Sequence, residues 1–425
     1  MRESLLTRLN SNTIRGLSAV SLNKIVQIAG VAVTVVLVPR LFGPEDYGRF
    51  AFALSLAYLG QILGVFGTLD VMGRFVPAMS KAEASRLYMR HLSLKAFIGI
   101  VCALITVVAA SLLTGWMQFN WALLIGIGVY IHILAWVPFQ FALGLNRIGT
   151  WMAEQAWRQW TLLFLLLLLL PPFALTGALV ALAIMELLFL GLGLWWVRSY
   201  WRWRDFGLDW SYLAPYLRFG VGFFLANLTA VALFRSGPLL IEFLTGSSVQ
   251  TGFFNLALGL FMLAYITSGQ YAQSLIPELS RLLDHHQYPR MIGWLRTFAG
   301  WGWWLGIGAA ALVWVLADRA VPVVFGAEFA GAAGAVKWIS LGIPLAALVW
   351  TGNVTATIAG HGKTKFTASV VALICFVALT FWLAPVFGAI GVSLALVSAL
   401  VVNALVLFFV LRRVVVIEGG LSELV

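Results

Sequence analysis

Apolar runs of roughly twenty residues recur from one end of the chain to the other, as in residues 92–113 and 387–411, and they restrict the fold before any motif is considered. A hydrocarbon core about 30 Å thick takes about 20 apolar residues in a helix. Only a helix or a closed barrel satisfies its own backbone hydrogen bonds there. Runs of this length are too long for tilted barrel strands, so the reading is an all-α integral membrane protein. Composition agrees: 62% of the 425 residues are hydrophobic and 10% charged, against roughly 45–50% and about 25% in soluble domains.

Twelve spans are predicted, near 17–38, 48–70, 92–113, 121–143, 156–175, 177–197, 219–244, 250–276, 292–317, 335–358, 366–385 and 387–411. The connecting loops are too short for a soluble domain. The first span follows basic residues but lacks a small-residue cleavage site, so it is expected to be retained. Assigned to the nearer span end, 22 of the 27 Lys and Arg fall in alternate segments beginning with the N-terminus, leaving Arg40, Arg49, Arg235, Arg319 and Lys337 in the others. That alternation places both termini in the cytoplasm. The formal charge of +11 then serves topology and anionic headgroups and predicts no nucleic-acid partner. Cys102 and Cys375 stand in separate runs, which gives neither a disulfide framework nor a metal site, and no cofactor is expected.

The sequence repeats itself. A shift of 204 residues pairs Gly16 with Gly220, Asn23 with Asn227, Gly48 with Gly252 and Phe50 with Phe254; after a four-residue slip, "FVPAMSK" at 75–81 lies over "LIPELSR" at 275–281. Six spans separate the mates, so they share an orientation and the repeat is parallel, with a pseudo-twofold axis along the membrane normal. Two six-helix lobes, 1–205 and 206–425, are expected to enclose a cleft near mid-membrane.

At 100° per residue Gly16, Asn23, Gln27, Gly30 and Thr34 share one face of the first span, and Gly220, Asn227, Arg235, Pro238 and Glu242 share one face of the seventh. Such stripes should face protein or water. A cation at membrane depth costs about 2.5–3.5 kcal/mol, so Arg235 is read either as lining the cleft or as paired with Glu242, and Lys24 as lining the cleft or snorkelling inward. An Arg fork suits a phosphate and a Lys offers a mobile point charge. Candidate headgroup residues are therefore Arg235, Lys24, Asn23, Asn227 and Gln27.

Glu186, alone in "LAIMELLFLG", is a candidate for coupling or a protonated structural carboxyl. Glu242, Asp70 and Arg74 are further coupling or gating candidates. Asp70 with Arg74 and Glu154 with Arg158 are spaced as interfacial salt bridges, and His132 reads as a lone packed histidine. Clustered Trp195, Trp196, Trp201 and Trp203 mark an aromatic belt, while "LLFLLLLLLPPFAL" at 162–175 reads as lipid-facing. "GHGKT" at 360–364 lacks the first glycine and preceding strand of a phosphate loop. No catalytic constellation appears, and an enzyme is not expected.

The stretches "VPRLFGPEDYGRFAFALSLAYL" at 38–59 and "LLIEFLTGSSVQTGFFNLALGL" at 239–260 resemble paired signatures of the bacterial polysaccharide (O-antigen and exopolysaccharide) flippases, within the multidrug/oligosaccharidyl-lipid/polysaccharide exporter superfamily. The resemblance covers essentially the whole chain. It implies flipping of an undecaprenyl-pyrophosphate-linked oligosaccharide from the inner to the outer leaflet of a bacterial or archaeal plasma membrane, by alternating access through a cationic cavity. It also implies a coupling cation, H+ or Na+, and polysaccharide assembly proteins as partners. Members often carry an acid just before the "LLI" of the seventh span, where this chain reads Arg235, Ser236, Gly237. Competing expectations are a cation-coupled multidrug antiporter, a lipid II flippase, a membrane glycan polymerase or ligase, and a non-transporting scaffold.

Overall fold

The apolar runs form helices. The computed structural model describes residues 11–359 and 361–419, with side chains described for Asn23 and for most residues from Ile25 to Phe409, and no strand forms among them. In chain order the helices are α1 (Ser11–Val65), α2 (Thr68–Phe75), α3 (Lys81–Leu113), α4 (Phe119–Gly144), α5 (Ile148–Trp196), α6 (Trp210–Thr245), α7 (Ser248–Ser274), α8 (Ile276–Asp284), α9 (Tyr288–Phe325), α10 (Ala333–Ser340), α11 (Gly342–Ile358) and α12 (Gly362–Gly419). Nine helical stretches among the described residues are long and apolar enough to cross a membrane. The chain is a multi-pass integral membrane protein.

Three of the long helices are interrupted. α1 breaks at Gly43 (φ 71°, ψ 169°), before Pro44; α5 breaks at Ala174 (φ 48°, ψ −136°), after Pro171 and Pro172; α12 breaks at Gly388 (φ 55°, ψ −130°), after Pro385. Proline removes a helical donor, and a positive φ ends the right-handed path. At the second and third breaks the chain folds back on itself. Gly177 lies against the Leu169 carbonyl and Gly391 against that of Leu383, so closely that neither site has room for a Cβ. A straight helix would hold residues eight apart at about 12 Å. At the first break the Phe42 and Phe50 rings stack at 5.0 Å.

Two helices begin earlier than hydropathy predicts. α3 starts at Lys81 rather than near 92 because Ser80 and Glu83 form a capping box, with Ser80 N donating to Glu83 Oε2 at 2.9 Å. α6 starts at Trp210 because Asp209 caps it, accepting from Tyr212 N at 3.1 Å. Hydrogen bonds from Ser211 and Tyr212 hold the Asp209 carboxyl below its usual range. Both starts are too polar to register as apolar span, yet their backbones are helical.

By packing, the chain forms two compact units: Met1–Val38 with Leu56–Leu225, and Pro39–Ser55 with Ala226–Val425. In the first, Met72, Leu87, Tyr88, Met89, Val137 and Phe141 make a core under α2, α3 and α4. The start of α6 joins it because Gly67 and Gly220 meet backbone to backbone, and because Phe75 packs edge-on against Tyr216 and Phe219. The segment ahead of α6 is tied to α3, with Ser85 Oγ donating to the Tyr200 carbonyl and Gly207 N donating to Ser93 Oγ at 2.8 Å. The leucine-rich stretch of α5 is two-sided: Phe164, Leu167, Leu168 and Phe173 are exposed, whereas Leu163, Leu165, Leu166 and Leu170 are buried. That corrects the wholly lipid-facing reading, since only one face of a packed helix can meet lipid.

In the second unit the hairpin region of α1 packs on α7. A Cβ on Gly48 would run into the backbone of Ser248 and Gly252, and one on Gly252 into the Pro44 carbonyl. These are the glycines that the 204-residue shift pairs. Asn255 Nδ2 donates to the Tyr47 hydroxyl oxygen at 2.8 Å, and Arg40 Nη2 donates to the Val323 carbonyl at 3.3 Å. At the α12 break, Gln250 Oε1 accepts from Ala389 N at 2.9 Å.

Thermal melting in detergent checks the glycine contact. Gly48→Ala is expected to destabilise by about 1–3 kcal/mol through overpacking, whereas Gly308→Ala, with nothing within 4 Å of an added Cβ, should be neutral or stabilising by up to about 1 kcal/mol. Equal melting temperatures would remove the contact from the argument.

Candidate functional site

In the first unit a buried ionic cluster joins α4 to both halves of α5. Glu154 and Arg158 are one turn apart, and Arg158 Nε donates to Glu154 Oε1 at 2.5 Å. Past the Ala174 break, the second half of α5 brings Glu186 back to the same guanidinium, and Arg158 Nη1 donates to Glu186 Oε2. From α4, His132 Nδ1 lies 2.9 Å from Glu186 Oε1 and 3.3 Å from Arg158 Nη1. The Arg158 guanidinium sits 4.9 Å over the Phe189 ring, and His132 stacks on Trp136.

Two expectations are corrected here. Glu186 does not stand alone and His132 is not a lone packed residue, because the reversal at Ala174 carries the sixth span back beside the fifth. The Glu154–Arg158 pair is buried inside the protein. The Glu154 side chain is 0% exposed and that of Arg158 15%.

A second buried cation lies in α3 and was not anticipated. Lys95, 0% exposed, donates from Nζ to the carbonyls of Gly64 (2.8 Å) and Val65 (2.7 Å). Those carbonyls end α1, where Phe66 and Gly67 take positive φ and the helix leaves its last oxygens unmatched. A cation at a helix C-terminus also suits the helix dipole. His91 Nε2 meets Thr68 Oγ1 at 3.1 Å beside the same break. The signal in the sequence was the i, i+4 pair His91 and Lys95, hidden by placing the start of the span at 92.

The polar stripe of α1 is partly a helix contact. Gln159 Nε2 donates to Thr34 Oγ1 at 2.8 Å, Trp160 Nε1 donates to the Val26 carbonyl at 3.0 Å, and Gly30 leaves room for the Trp160 indole. Asn23 and Gln27 are half-buried on the same helix. The side chain of Lys24 lies outside the described residues. On the short α2, Asp70 stands in the first turn and Arg74 in the last, each at the end its charge favours.

In the second unit Arg235 is half-buried on α6 and Asn227 is exposed. Arg235 lies within electrostatic reach of the Tyr47 hydroxyl that Asn255 binds. The residue before it, Phe234, packs against Tyr265 at 4.9 Å, and Tyr265 against Trp350 at 5.5 Å. The Glu242 carboxylate accepts from Ser248 Oγ and Thr251 Oγ1, both at 2.8 Å, fastening the end of α6 to the start of α7.

A family model described as "Polysaccharide biosynthesis protein" matches residues 12–283. The fold is similar to that of an inward-facing multidrug resistance MATE family transporter of the MOP superfamily (TM-score 0.78, 15% identity, 94% of this chain and 96% of that one). It is also similar to lipid II flippase MurJ in an inward closed conformation (TM-score 0.77, 13% identity, 92% and 87%). A third similar structure is a MOP superfamily transporter from Pyrococcus furiosus described as having a binding pocket of reverse polarity (TM-score 0.59, 14% identity, 94% and 93%). A search of curated proteins finds no match.

Removing Arg158 leaves two carboxylates buried without their cation, which costs about 3–5 kcal/mol. Arg158→Leu should therefore lower the melting temperature of the purified protein far more than Arg198→Leu, whose side chain is exposed and stacks on Trp195. Matching melts would mean that the cluster holds nothing together.

Proposed function

The chain belongs to the polysaccharide biosynthesis protein family, and from that premise we propose that it flips a lipid-linked oligosaccharide across a bacterial or archaeal plasma membrane. The carrier is undecaprenyl pyrophosphate, the direction inner to outer leaflet, and the mechanism alternating access. The product feeds O-antigen or exopolysaccharide assembly and its assembly proteins. The observation that carries the reading is Arg235, a permanent cation half-buried in an apolar helix within electrostatic reach of the Tyr47 hydroxyl. Moving a pyrophosphate and its sugars through hydrocarbon without compensation costs far more than a protein can supply from packing. A fixed guanidinium in a wet path offsets that cost while the prenyl tail stays in lipid.

Read as hairpins, the three broken helices turn the nine long stretches into twelve spans, and the 22 to 5 alternation of Lys and Arg puts both ends in the cytoplasm. The lobes 1–205 and 206–425 are then the two arms that rock. The contact between Gly48 and its repeat mate Gly252 supports a pseudo-twofold axis at that point, since a residue near such an axis touches its own equivalent. In this reading Asn23, Lys24, Gln27 and Asn227 join Arg235 along the headgroup path, Glu242, Asp70 and Arg74 act in gating, and a cation, H+ or Na+, is coupled.

A cation-coupled multidrug antiporter would need buried acids presented to a cationic substrate. Here Glu242 is engaged by Ser248 and Thr251, and Glu186 by Arg158 and His132, which favours an anionic cargo.

Two outcomes are expected. Arg235→Ala abolishes export of surface polysaccharide at unchanged protein level, and Arg235→Lys retains part of it; full export by the alanine variant would reduce Arg235 to a structural role. A green fluorescent protein fused after Val425 fluoresces, whereas periplasmic alkaline phosphatase fused there stays inactive, and the reverse pattern would refute cytoplasmic ends.

A further inference from the structure

Within the first unit, charge bookkeeping at the buried cluster leaves one proton to be placed. Glu154 and Glu186, with side chains 0% and 5% exposed, share one guanidinium, that of Arg158. Without a further positive charge the group carries a net negative charge in a low-dielectric interior, which is strongly disfavoured. Glu154 Oε2 has no hydrogen-bond donor among the described residues, so hydrogen bonding does not make up the deficit. His132 is the titratable group in contact with the pair, and an imidazole can take up that charge as a proton.

The geometry around His132 admits two arrangements. Its Nδ1 faces an acceptor, Glu186 Oε1 at 2.9 Å, and a donor, Arg158 Nη1 at 3.3 Å. One nitrogen satisfies only one of them at a time. With a proton on Nδ1 it donates to Glu186; without it, the lone pair accepts from Arg158. Two titratable groups on α3 have partners elsewhere. From α3, Lys95 is held by the Gly64 and Val65 carbonyls, one residue removed through the contact of Gly64 with Ile133, and His91 is turned to Thr68. Asp70 and Arg74 sit at the two ends of α2.

We propose that His132, Glu186, Arg158 and Glu154 form a single-proton binding site, and that this proton is the ion exchanged for the anionic lipid cargo. Loaded, the site is imidazolium, guanidinium and two carboxylates, with zero net charge. Unloading breaks one N–H bond of the imidazolium, passes the proton to water and leaves a net charge of minus one. The side chains of His132 and Arg158, 11% and 15% exposed, are the least buried of the four. Packing of α4 on both halves of α5 responds to that charge. The inference rests on the transporter reading for its purpose, but the site itself is tested without cargo.

Histidine-labelled protein in nanodiscs, followed by nitrogen NMR with infrared detection of the carboxyl band, reads the site directly. Between about pH 5 and 8 the His132 signal and a carboxyl band should change together, and Glu186→Gln should move the His132 midpoint by at least about one unit. A His132 signal that is constant over that range, or one that titrates identically in Glu186→Gln, overturns the proposal. The second arm uses proteoliposomes and a fluorescent polyprenyl-pyrophosphate N-acetylglucosamine. One exchanged proton lets a one-unit pH difference sustain an about tenfold transbilayer ratio of the probe, and His132→Gln should abolish that response. A wild type that moves the probe with no response to the gradient overturns proton exchange. A wild type that moves no probe while His132 and Glu186 titrate together removes the transport reading and leaves the proton site standing.

Discussion

Hydrocarbon offers no hydrogen bonds, and two interruptions of helices among the described residues are organised around that constraint. A break exposes carbonyl and amide groups that must find partners inside the protein. At Phe66–Gly67 the partners are Lys95 and the Thr68 hydroxyl, both reaching the carbonyls that end α1. At Gly388 the amide of Ala389 is taken by Gln250 from α7. Long polar side chains buried among apolar helices are therefore fixtures of the backbone as much as functional groups.

The same economy of donors governs charge. Of the buried carboxylates, Glu242 accepts from two hydroxyl donors, whereas Glu154 and Glu186 share the Arg158 guanidinium. The first arrangement is local, spanning the short turn from α6 to α7, and fixes a corner. The second ties three helical segments through one guanidinium and one imidazole. Arg235 is half-buried on α6, within electrostatic reach of the Tyr47 hydroxyl.

Helix–helix approach is decided by small residues in the same way. At Gly48, Gly252 and Gly67 backbones come so close that no Cβ fits between them, as expected where packing rather than hydrophobicity drives association in a membrane. These contacts explain why residues 39–55 pack with the C-terminal helices and the start of α6 with the N-terminal ones.

The membrane class and the helical content were legible in the linear sequence, because hydropathy is a local property of the chain. Even the early start of α3 was written in Ser80 and Glu83. What only the tertiary structure decided is which distant polar groups meet: Glu186 with Arg158 across the turn at Ala174, His132 from another helix, Lys95 under the end of α1. Those meetings depend on where a chain reverses and which glycine faces which helix. A one-dimensional pattern gives each side chain its face and depth, while its partner is set by packing in three dimensions.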